Sequence, residues 1–564
     1  MSTSSQLRIK TILDNNKKEF DQNNVEQLEA VDLIASGQHV LISGEGGTGK
    51  SHFISTLSKI FFENKVNYRI VTPTGITAIN LNESLMSNGC TPCASTYHSL
   101  YGFIPNRSDR SLSAKIKKTI SEIEVLIIDE APMIDSFSLD RISFRHTYPN
   151  KDTSELKSRL KNGMFGKSDM FTKFFGKTQV IMLGDFFQLP PIVKDDLTKY
   201  GYKSKYIFDS NSYELGEVKM ISFYKNYRVT TFKDEKNILK SKILKQLLKE
   251  VRYGCLSDDG KRTLKLLNVN RVIEADKIIK KLLSTDAILL SPYNQECYRI
   301  NDDVKSKLPG YDIRLPPHTS PNIDKELSAC QTKDEEDRFL KKRFDTPRVL
   351  KVKIGQRVLL TSNNKTKGFF NGDMGIVKST RTFQGAVDSI VINVDRRGES
   401  IEYIVSRQLY IKPTATELIN LNISMANNTT RFASQAQIDA FTKKHVKNWI
   451  EQFPLKDGFA ITNHRAQGKT FQNTIINPDG FGESMFYVSL SRNTNLDGIL
   501  LTQQIRRSHI QVDPYVLKFY LDEGLIEEYM EDAVRKKLGL DNEVEEVVEV
   551  GDNQIPNTSS DTVQ

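Results

Sequence analysis

Residues 44–51 read GEGGTGKS, which matches the pattern G-x-x-x-x-G-K-S. The match follows the apolar run 40–42 and precedes apolar residues at helical spacing, so it lies between a predicted strand and a predicted helix. Glycines let several backbone N–H groups converge on phosphate oxygens, and the N-terminus of the following helix adds a favourable dipole. The chain is therefore predicted to bind a nucleoside triphosphate at this loop, which we call the phosphate loop.

Each residue type in the phosphate loop has its own chemical task. Lys50 supplies a positive charge to the β- and γ-phosphates, and Ser51 offers a hydroxyl to Mg²⁺. Further contacts to the nucleotide are expected from Gly44, Gly46, Gly47, Thr48 and Gly49.

Two further apolar runs end in polar residues that suit hydrolysis. Residues 125–128 are followed by two acids: we expect Asp129 to hold Mg²⁺ with the loop serine, and Glu130 to orient and polarise the attacking water. Residues 180–183 run into GDFFQLPP, where Gln188 is placed to sense the γ-phosphate. These residues predict that the triphosphate is hydrolysed and not merely bound.

Seven segments of the sequence resemble the motifs of superfamily 1 helicases and occur in the order of that superfamily. GDFFQLPP in particular resembles the petite-integration-frequency (PIF) helicases, which are relatives of the RecD and Dda helicases. The resemblance extends over most of residues 20–510. The segments GEGGTGKS, TPTGITAINL, STYHSLYGF, IIDEAPM, GDFFQLPP, NHRAQGKTF and YVSLSRNT begin at residues 44, 72, 95, 127, 184, 463 and 487.

The resemblance implies an α/β fold with two RecA-like P-loop domains that hold ATP between them. It also implies a small all-β, SH3-like insertion in the second domain, and alternating runs in residues 352–413 favour antiparallel hairpins there. The predicted parts are a first domain at 1–195 with a wedge insertion near 82–120, a second domain at 196–345 and 414–515, the β insertion at 346–413, a helical segment at 516–540 and an acidic, disordered segment at 541–564.

The resemblance assigns further residues to the nucleotide. Arg492 and Arg228 are expected to reach the γ-phosphate from the second domain, so that hydrolysis depends on closure of the two domains. Arg228 stands in Tyr-Arg-Val where the family usually has Phe-Arg-Gln, and a surface arginine is the alternative at this position. Gln27 resembles an adenine-reading glutamine, with a solvated helix residue as the alternative, and Gly468 is expected to contact the nucleotide.

The charge distribution favours a nucleic-acid partner. The chain has 79 Lys and Arg against 70 Asp and Glu, which gives a net charge of +9. Residues 541–564 hold seven acids and no base, so the preceding residues carry 9 plus 7, or +16. By their positions in the helicase motifs, the residues expected to contact a DNA strand are Thr72, Thr74, Gly75, Thr96, His98, His464 and Arg465.

Two segments fall outside the helicase pattern. Residues 141–177 hold nine Lys or Arg against three acids, which fits either a DNA-facing loop or a solvated basic excursion. Residues 541–564 are most simply interpreted as disordered, with a protein-binding tail or a DNA-mimicking self-inhibitor as the alternatives.

These patterns predict an ATP-dependent, Mg²⁺-using DNA helicase that moves 5′ to 3′ on single-stranded DNA and opens fork or overhang duplexes in replication, recombination or repair. The direction is implied by the resemblance alone. An RNA or RNA–DNA hybrid helicase is the alternative among enzymes, and an ATP-switched DNA clamp is the alternative outside them. Glu130 and Arg492 argue against a clamp, because a clamp has no need of fast hydrolysis.

Hydropathy and cysteine content set the expected location. No apolar run approaches the length of a membrane span, and the first residues lack an apolar signal segment. The odd count of five cysteines favours reduced thiols. A soluble, intracellular protein with no membrane partner is therefore expected.

Overall fold

The computed structural model describes most of the 564 residues. The described ranges are 3–91, 93–103, 112, 114–151, 153–161, 174–193, 196–229, 235–344, 346–362, 364, 369, 373–396, 399–412, 417, 435–480 and 482–540. The acidic segment 541–564 lies outside these ranges, and so do part of the predicted wedge and part of the basic stretch 141–177.

A parallel sheet forms the centre of the first domain. Its strands are β1 (Val40–Gly44), β2 (Tyr68–Thr72), β3 (Ala94–Thr96), β4 (Val125–Ile128), β5 (Gln179–Gly184) and β6 (Lys219–Phe223). The helices around it are α1 (Thr3–Asn16), α2 (Val25–Ala35), α3 (Lys50–Glu63), α4 (Gly75–Ser87), α5 (Tyr97–Tyr101), α6 (Ala114–Glu122), α7 (Ser136–Thr147), α8 (Thr153–Lys161) and α9 (Asn211–Leu215).

The strand order in this sheet is β3-β2-β4-β5-β1-β6, and every neighbouring pair is parallel. Helices cover both faces, which explains why β1 and β4 are apolar and buried along their lengths. Alternate residues of β1 enter two different cores, since Leu41 packs in one apolar cluster and Ile42 in the other. Because β6 pairs with β1, the sheet includes residues beyond the predicted domain boundary at 195.

Helices connect the first sheet to the second domain. They are α10 (Glu235–Tyr253), α11 (Asp258–Asn270), α12 (Ala275–Ser284), α13 (Asn294–Lys307), α14 (Pro321–Ser328) and α15 (Lys333–Phe344). The strands in this part of the chain are β7 (Ile288–Ser291), β8 (Ile313–Leu315), β9 (His318–Thr319) and β10 (Leu350–Val352).

An antiparallel sheet is inserted between β7 and the rest of the second domain. The elements here are β11 (Arg357–Leu360), β12 (Met374–Phe383), β13 (Ala386–Arg396), β14 (Glu399–Ser406), β15 (Gln408–Ile411), α16 (Gln435–His445), β16 (Trp449–Gln452) and β17 (Leu455–Asp457). The strand order is β14-β13-β12-β11-β17, with antiparallel hairpins as the alternating pattern predicts. Because β17 pairs with β11, this sheet takes a strand from beyond the predicted bounds 346–413. Its SH3-like character stays a prediction.

The chain then returns to the second parallel sheet, whose order is β18-β7-β19-β20. The elements are β18 (Ala460–Thr462), α17 (Asn463–Ala466), β19 (Thr474–Ile476), α18 (Met485–Leu490), β20 (Ile499–Leu501), α19 (Pro514–Asp522) and α20 (Glu528–Leu538). Within the described residues, every helix is too short or too polar to span a bilayer.

The last two helices return to the first domain. In α19, the ring of Phe519 stacks on Phe208 with centroids 3.9 Å apart, and the hydroxyl of Tyr520 hydrogen-bonds with that of Ser43 in β1. The core around these residues continues into the second sheet through Ile476. The helical segment therefore holds the two domains together at the back of the cleft.

Candidate active site

The phosphate loop joins β1 to α3 and depends on glycine at several positions. Gly47 and Gly49 have φ angles of +102° and +86°, which place both in the left-handed half of conformational space that favours glycine. A Cβ added to Gly47 would lie 2.5 Å from Cβ of Arg228, too close for any side chain. Gly49 caps the N-terminus of α3, so the dipole of that helix points into the loop.

Lys50 is enclosed by the loop that precedes it. Its Nζ donates to the carbonyl oxygens of Gly44 at 2.5 Å and Glu45 at 3.0 Å. Burial lowers the pKa of Lys50, and the nearby carboxylates of Asp185, Glu130 and Asp129 oppose that change. Ser51 on the first turn of α3 is exposed. The first turn of α3 therefore carries an enclosed ammonium and an exposed serine next to each other in sequence.

Asp129 and Glu130 follow β4 at the carboxyl edge of the sheet. Burial raises the pKa of Asp129, and the neighbouring charge of Glu130 raises it further. Burial also raises the pKa of Glu130, which Lys50 and Arg492 oppose. Glu130 has a φ angle of +53°, a conformation that non-glycine residues rarely adopt outside functional sites and turns. The strained backbone holds this carboxylate beside the phosphate loop.

Two arginines and a glutamine converge on Gly46. A Cβ placed on Gly46 would lie 2.7 Å from Nη1 of Arg228 and 3.1 Å from Nη2 of Arg492. The amide nitrogen of Gln188 would be 3.5 Å from the same point. These groups arrive from different parts of the chain, as the sequence motifs imply.

Arg492 is 1% exposed and is held by α18, the helix that precedes it. Its Nε donates to the carbonyl of Val488 at 2.9 Å, and its Nη2 donates to Oγ of Ser491 at 2.8 Å. The same Nη2 lies 3.5 Å from Oε1 of Gln188 across the cleft. Burial lowers the pKa of Arg492, while Tyr487 and Glu130 oppose this change.

Arg228 lies in the cleft and not on the surface, which removes the alternative at this position. Arg228 follows β6 of the first sheet, which differs from its expected place in the second domain. Its Nη1 donates to the carbonyl of Ser491 at 2.9 Å, and this bond therefore joins the two domains. Burial lowers the pKa of Arg228 to about 9, and the adjacent positive charge of Arg492 adds to the effect. Two guanidinium groups crowded beside one glycine-rich loop form a strong site for an anion with several charges.

A buried cluster behind the phosphate loop was not predicted from the sequence. Nε and Nη2 of Arg252 donate to Oδ1 of Asp185 at 3.1 and 3.0 Å. The hydroxyl of Tyr487 donates to Oδ2 of the same aspartate at 2.9 Å and accepts from the backbone N–H of Gly46 at 3.4 Å. We call Asp185, Arg252 and Tyr487 the support cluster. Arg252 belongs to no motif, and its one sequence signal is a base set between Val251 and Tyr253 at the end of an amphipathic helix.

Glu45 is a second unpredicted feature of the loop. It is 4% exposed, and neither of its carboxylate oxygens has a hydrogen-bond partner at normal distance among the described residues. Burial raises the pKa of Glu45 to about 7, although Arg252 and Lys249 oppose this change. The position is variable in the pattern G-x-x-x-x-G-K-S, so the motif gives no sign of a buried acid.

Gln27 lies next to the phosphate loop and is 3% exposed, so it is not the solvated residue of the alternative interpretation. A Cβ added to Gly49 would lie 3.4 Å from its Nε2 and 3.4 Å from the ring of Tyr227. Tyr227 is half exposed, and its ring is a further surface for a base that the sequence did not indicate. Gly468 differs, because no described contact joins it to the phosphate loop and a Cβ there would meet no atom within 4 Å.

The expected strand-contacting residues lie at the carboxyl ends of parallel strands in both domains. In the first domain, Thr72 of β2 is in register with Thr96 of β3. In the second domain, His464 and Arg465 form the short helix α17 directly after β18. Residues of the two domains thus occupy equivalent edges of their sheets, where ligands of open α/β sheets bind.

Thr72 is the most enclosed member of this set. Its side chain is fully buried, and its hydroxyl donates to the carbonyl of Thr74 at 2.7 Å. This bond shapes the loop after β2, and a contact between Thr72 and a strand stays a prediction. The hydroxyl of Thr74 pairs with that of Thr77 at 2.9 Å, while Gly75 is exposed at the start of α4.

The segment around His98 combines a cap with a packed core. Thr96 accepts from the backbone N–H of Ser99 at 3.2 Å and so caps α5. The ring of His98 lies 4.0 Å from that of Tyr97. The aromatic side chains Tyr97, Tyr101 and Phe103 are buried and pack in the core of the first domain.

Comparison with known proteins gives the same outline. Residues 21–262 match the PIF1-like helicase family. The chain is 24% identical over 501 residues to the ATP-dependent DNA helicase Pif1 of Campylobacter jejuni. The aligned region covers 87% of this chain and 96% of that protein. Two solved structures also match over most of their length. One is Pif1 helicase from Candida albicans, with a TM-score of 0.61 and 18% identity, and the match covers 90% of this chain and 99% of that one. The other is Pif1 helicase from Bacteroides in complex with ADP-AlF3 and ssDNA, with a TM-score of 0.59 and 22% identity, and the match covers 89% of this chain and 97% of that one. The two parallel sheets are therefore the RecA-like domains of this fold.

Proposed function

We propose that this chain, which belongs with the PIF1-like helicases in sequence and in fold, is an ATP-dependent helicase that translocates on single-stranded DNA and separates duplex strands. The observation that carries the proposal is the convergence of Arg228, Arg492 and Gln188 on Gly46 of the phosphate loop. A site with catalytic groups from two domains is complete only when the domains are closed.

The phosphate loop and the acidic pair supply the chemistry of hydrolysis. Lys50 and the N-terminus of α3 bind the β- and γ-phosphates, and Glu130 accepts a proton from the attacking water. Gln188 reports the presence of the γ-phosphate to Arg492, since their side chains already lie 3.5 Å apart. Gln27 beside the loop supports adenine as the base, which favours ATP.

The same residues fit a magnesium ion. Ser51 offers an exposed hydroxyl, and Asp129 is a carboxylate whose pKa burial and Glu130 hold above its usual range. A nearby divalent cation would favour the ionised form of Asp129, so the pair is suited to the ion. When bound, Mg²⁺ would neutralise charge on the β- and γ-phosphate oxygens.

The arginines couple hydrolysis to domain movement. A planar guanidinium can stabilise charge on the transferring phosphoryl group only if it reaches the γ-phosphate. Arg492 comes from the second domain and is bonded to α18, so it moves with that domain. Opening the cleft would withdraw Arg492 from the γ-phosphate and stop hydrolysis, and this dependence turns ATP turnover into relative motion of the two sheets.

The expected DNA strand crosses the carboxyl edges of both sheets. Thr74, Gly75 and His98 lie on the first domain's edge, and His464 and Arg465 lie on the second domain's edge. A motor needs a DNA contact on each domain, because closure of the cleft then changes the distance between two contact points on one DNA backbone. We propose 5′ to 3′ movement, which rests on the family resemblance.

The test measures ATP hydrolysis with and without single-stranded DNA, and then strand separation on duplexes with a 5′ or a 3′ overhang. The expected result is DNA-stimulated hydrolysis and unwinding from the 5′ overhang. Equal or greater activity on RNA or RNA–DNA hybrids would favour the alternative enzyme. Tight ATP-dependent DNA binding with no unwinding from either overhang would favour the clamp.

A further inference from the structure

A groove lies between the end of α10, helix α11, the stretch 505–514 and helix α20. It has a volume of about 1560 Å³. Small-molecule sites usually span roughly 300–1,000 Å³, so this groove is large enough for a peptide segment. We call it the basic groove.

Positive side chains dominate the rim of the basic groove. They are Lys261, Lys265, Arg506, Arg507, Lys536 and Lys537. Within the described part of the chain, no ion pair engages Lys265, Arg506 or Lys536. The lining also contains two acids, Glu250 and Glu483, but the carboxylate of Glu250 is fully buried and accepts from the hydroxyl of Ser257 at 2.6 Å. The rim therefore presents an excess of positive charge to an occupant.

The floor of the basic groove is apolar. Leu264, Ile510, Val512 and Met530 line it and extend inward to the main core. A partner that binds through charge alone, such as a nucleic-acid backbone, would not bury these apolar side chains. An occupant that matches both floor and rim must alternate apolar and acidic side chains.

Residues 541–550 have this composition. They read DNEVEEVVEV, with five acids, four valines and no base. This segment follows α20 directly, and the last turn of α20 supplies Lys536 and Lys537 to the rim. Ten residues span up to roughly 35 Å when extended, so no long linker is needed to cover the groove.

Helix α20 ends with a left-handed glycine. Gly539 has a φ angle of +72°, and the N–H of Leu540 donates to the carbonyl of Arg535 at 3.0 Å. This is a common way for a helix to end, because it satisfies one of the last carbonyl groups. The side chain of Leu540 packs against the same core that forms the floor. The acidic segment therefore begins directly after a residue that packs against this core.

We propose that residues 541–550 dock in the basic groove, with valines on the apolar floor and glutamates on the lysines and arginines of the rim. The groove wall includes Glu250 and Gly254, which flank Arg252 of the support cluster. A docked segment would therefore contact α10, the helix whose Arg252 pairs with Asp185. Opening or closing of the cleft between the two domains would then displace the segment.

The test uses the full chain, whose carboxylates are joined to nearby lysines with a zero-length carbodiimide cross-linker and mapped by mass spectrometry. Cross-links from Glu543–Glu549 should concentrate on Lys265 and Lys536. They should weaken in 1 M salt, where screening acts over about 3 Å. Cross-links spread equally over exposed lysines elsewhere, such as Lys280 on α12, would overturn the proposal.

Three variants distinguish a segment that docks in the basic groove from one that is attracted by charge without a fixed site. Lys265→Glu with Arg506→Glu should lower the Lys536 cross-link about tenfold, whereas the matched charge reversal Lys280→Glu should not change it. Val547→Asp with Val548→Asp adds acid but removes the apolar match, so docking predicts a similar loss. A tail held by charge alone would keep or gain cross-links in that variant, and this outcome would contradict the proposal. Thermal melting of each variant checks that the fold is retained.

Two other occupants give distinct results. If the segment mimics DNA, single-stranded DNA should displace it while the groove variants leave its cross-links unchanged, which would overturn the proposal. If the segment binds a second copy of the chain, mixing isotope-labelled and unlabelled protein should yield mixed cross-links. Cross-links confined to one isotope are the result expected for docking within one chain.

Discussion

The phosphate loop and the support cluster behind it are assembled in opposite ways. The loop takes all its groups from residues 44–51, whereas the cluster takes Asp185, Arg252 and Tyr487 from three distant parts of the chain. The loop's lysine bonds to oxygens of its own loop, while the cluster's groups are buried and bond to one another across distant parts of the chain. The difference teaches that chemistry and support are separable here. Changes in the loop should lower turnover first, and changes in the cluster should lower stability first.

The largest effect is expected from Lys50→Ala. Loss of the ammonium removes the charge that faces the phosphates, so ATP turnover should fall to background while affinity for single-stranded DNA is largely kept. Steady-state hydrolysis and fluorescence anisotropy with labelled DNA measure the two quantities. Undiminished hydrolysis would show that the nucleotide binds elsewhere.

Arg492→Ala tests the group that spans both regions. DNA-stimulated hydrolysis and unwinding should fall together by about 10³ to 10⁵, as for comparable arginine fingers, while ATP binding weakens less. Arg492→Lys should restore little, because a point charge cannot replace the planar fork. Arg262→Ala, at an exposed arginine on α11, is the matched control. A variant that unwinds at the wild-type rate would refute the role of Arg492.

Arg252→Leu should break the support cluster. The change leaves the carboxylate of Asp185 buried without its ion-pair partner, which typically costs about 3 to 5 kcal/mol of unfolding free energy. Urea unfolding of the single variant and of Arg252→Leu with Asp185→Asn measures the coupling between the two residues. The double variant should recover part of the loss, and purely additive effects would show that the pair is not a unit.

Glu45→Gln should change how the stability of the protein depends on pH. Burial raises the pKa of Glu45 from 4.5 in the unfolded chain to about 7 in the folded protein, so the folded state prefers the protonated acid. The wild type therefore loses stability as pH rises from 4.5 towards 7, and the amide does not. The variant's advantage in unfolding free energy should grow by roughly 2 to 3 kcal/mol between pH 5 and pH 8. An advantage independent of pH would mean that Glu45 is ionised in the folded protein.

The smallest effect is expected from Tyr487→Phe. The change removes one hydroxyl that bonds to Asp185 and to the N–H of Gly46, which should cost about 1 kcal/mol of stability. Because Gly46 lies in the phosphate loop, turnover should also fall, but by less than tenfold. Tyr311→Phe, at a residue 84% exposed, provides the control. A loss of turnover as large as that of Arg492→Ala would show that Tyr487 acts in hydrolysis and does not only hold Asp185 and Gly46 in place.

Contiguous sequence predicted the parts of the site that depend on local geometry. The strand, loop and helix around Lys50 are where the glycine pattern places them, and Asp129 and Glu130 follow a buried strand as predicted. Such features depend on backbone conformations and on strand burial, which neighbouring residues decide. The family resemblance extended this to the two RecA-like domains and to the convergence of Arg228 and Arg492.

Only the tertiary structure decided which groups are left free to act. The hydroxyl of Thr72, a predicted strand contact, bonds inside the fold, and Gly468 makes no described contact with the phosphate loop. Conversely, no motif predicted that Arg252 would pair with Asp185, which lies 67 residues away in the sequence. A motif can specify how consecutive backbone groups are arranged, because that arrangement is set by local sterics. It cannot specify the desolvation and pairing of distant side chains, because these arise only when elements that are far apart in the sequence pack against each other.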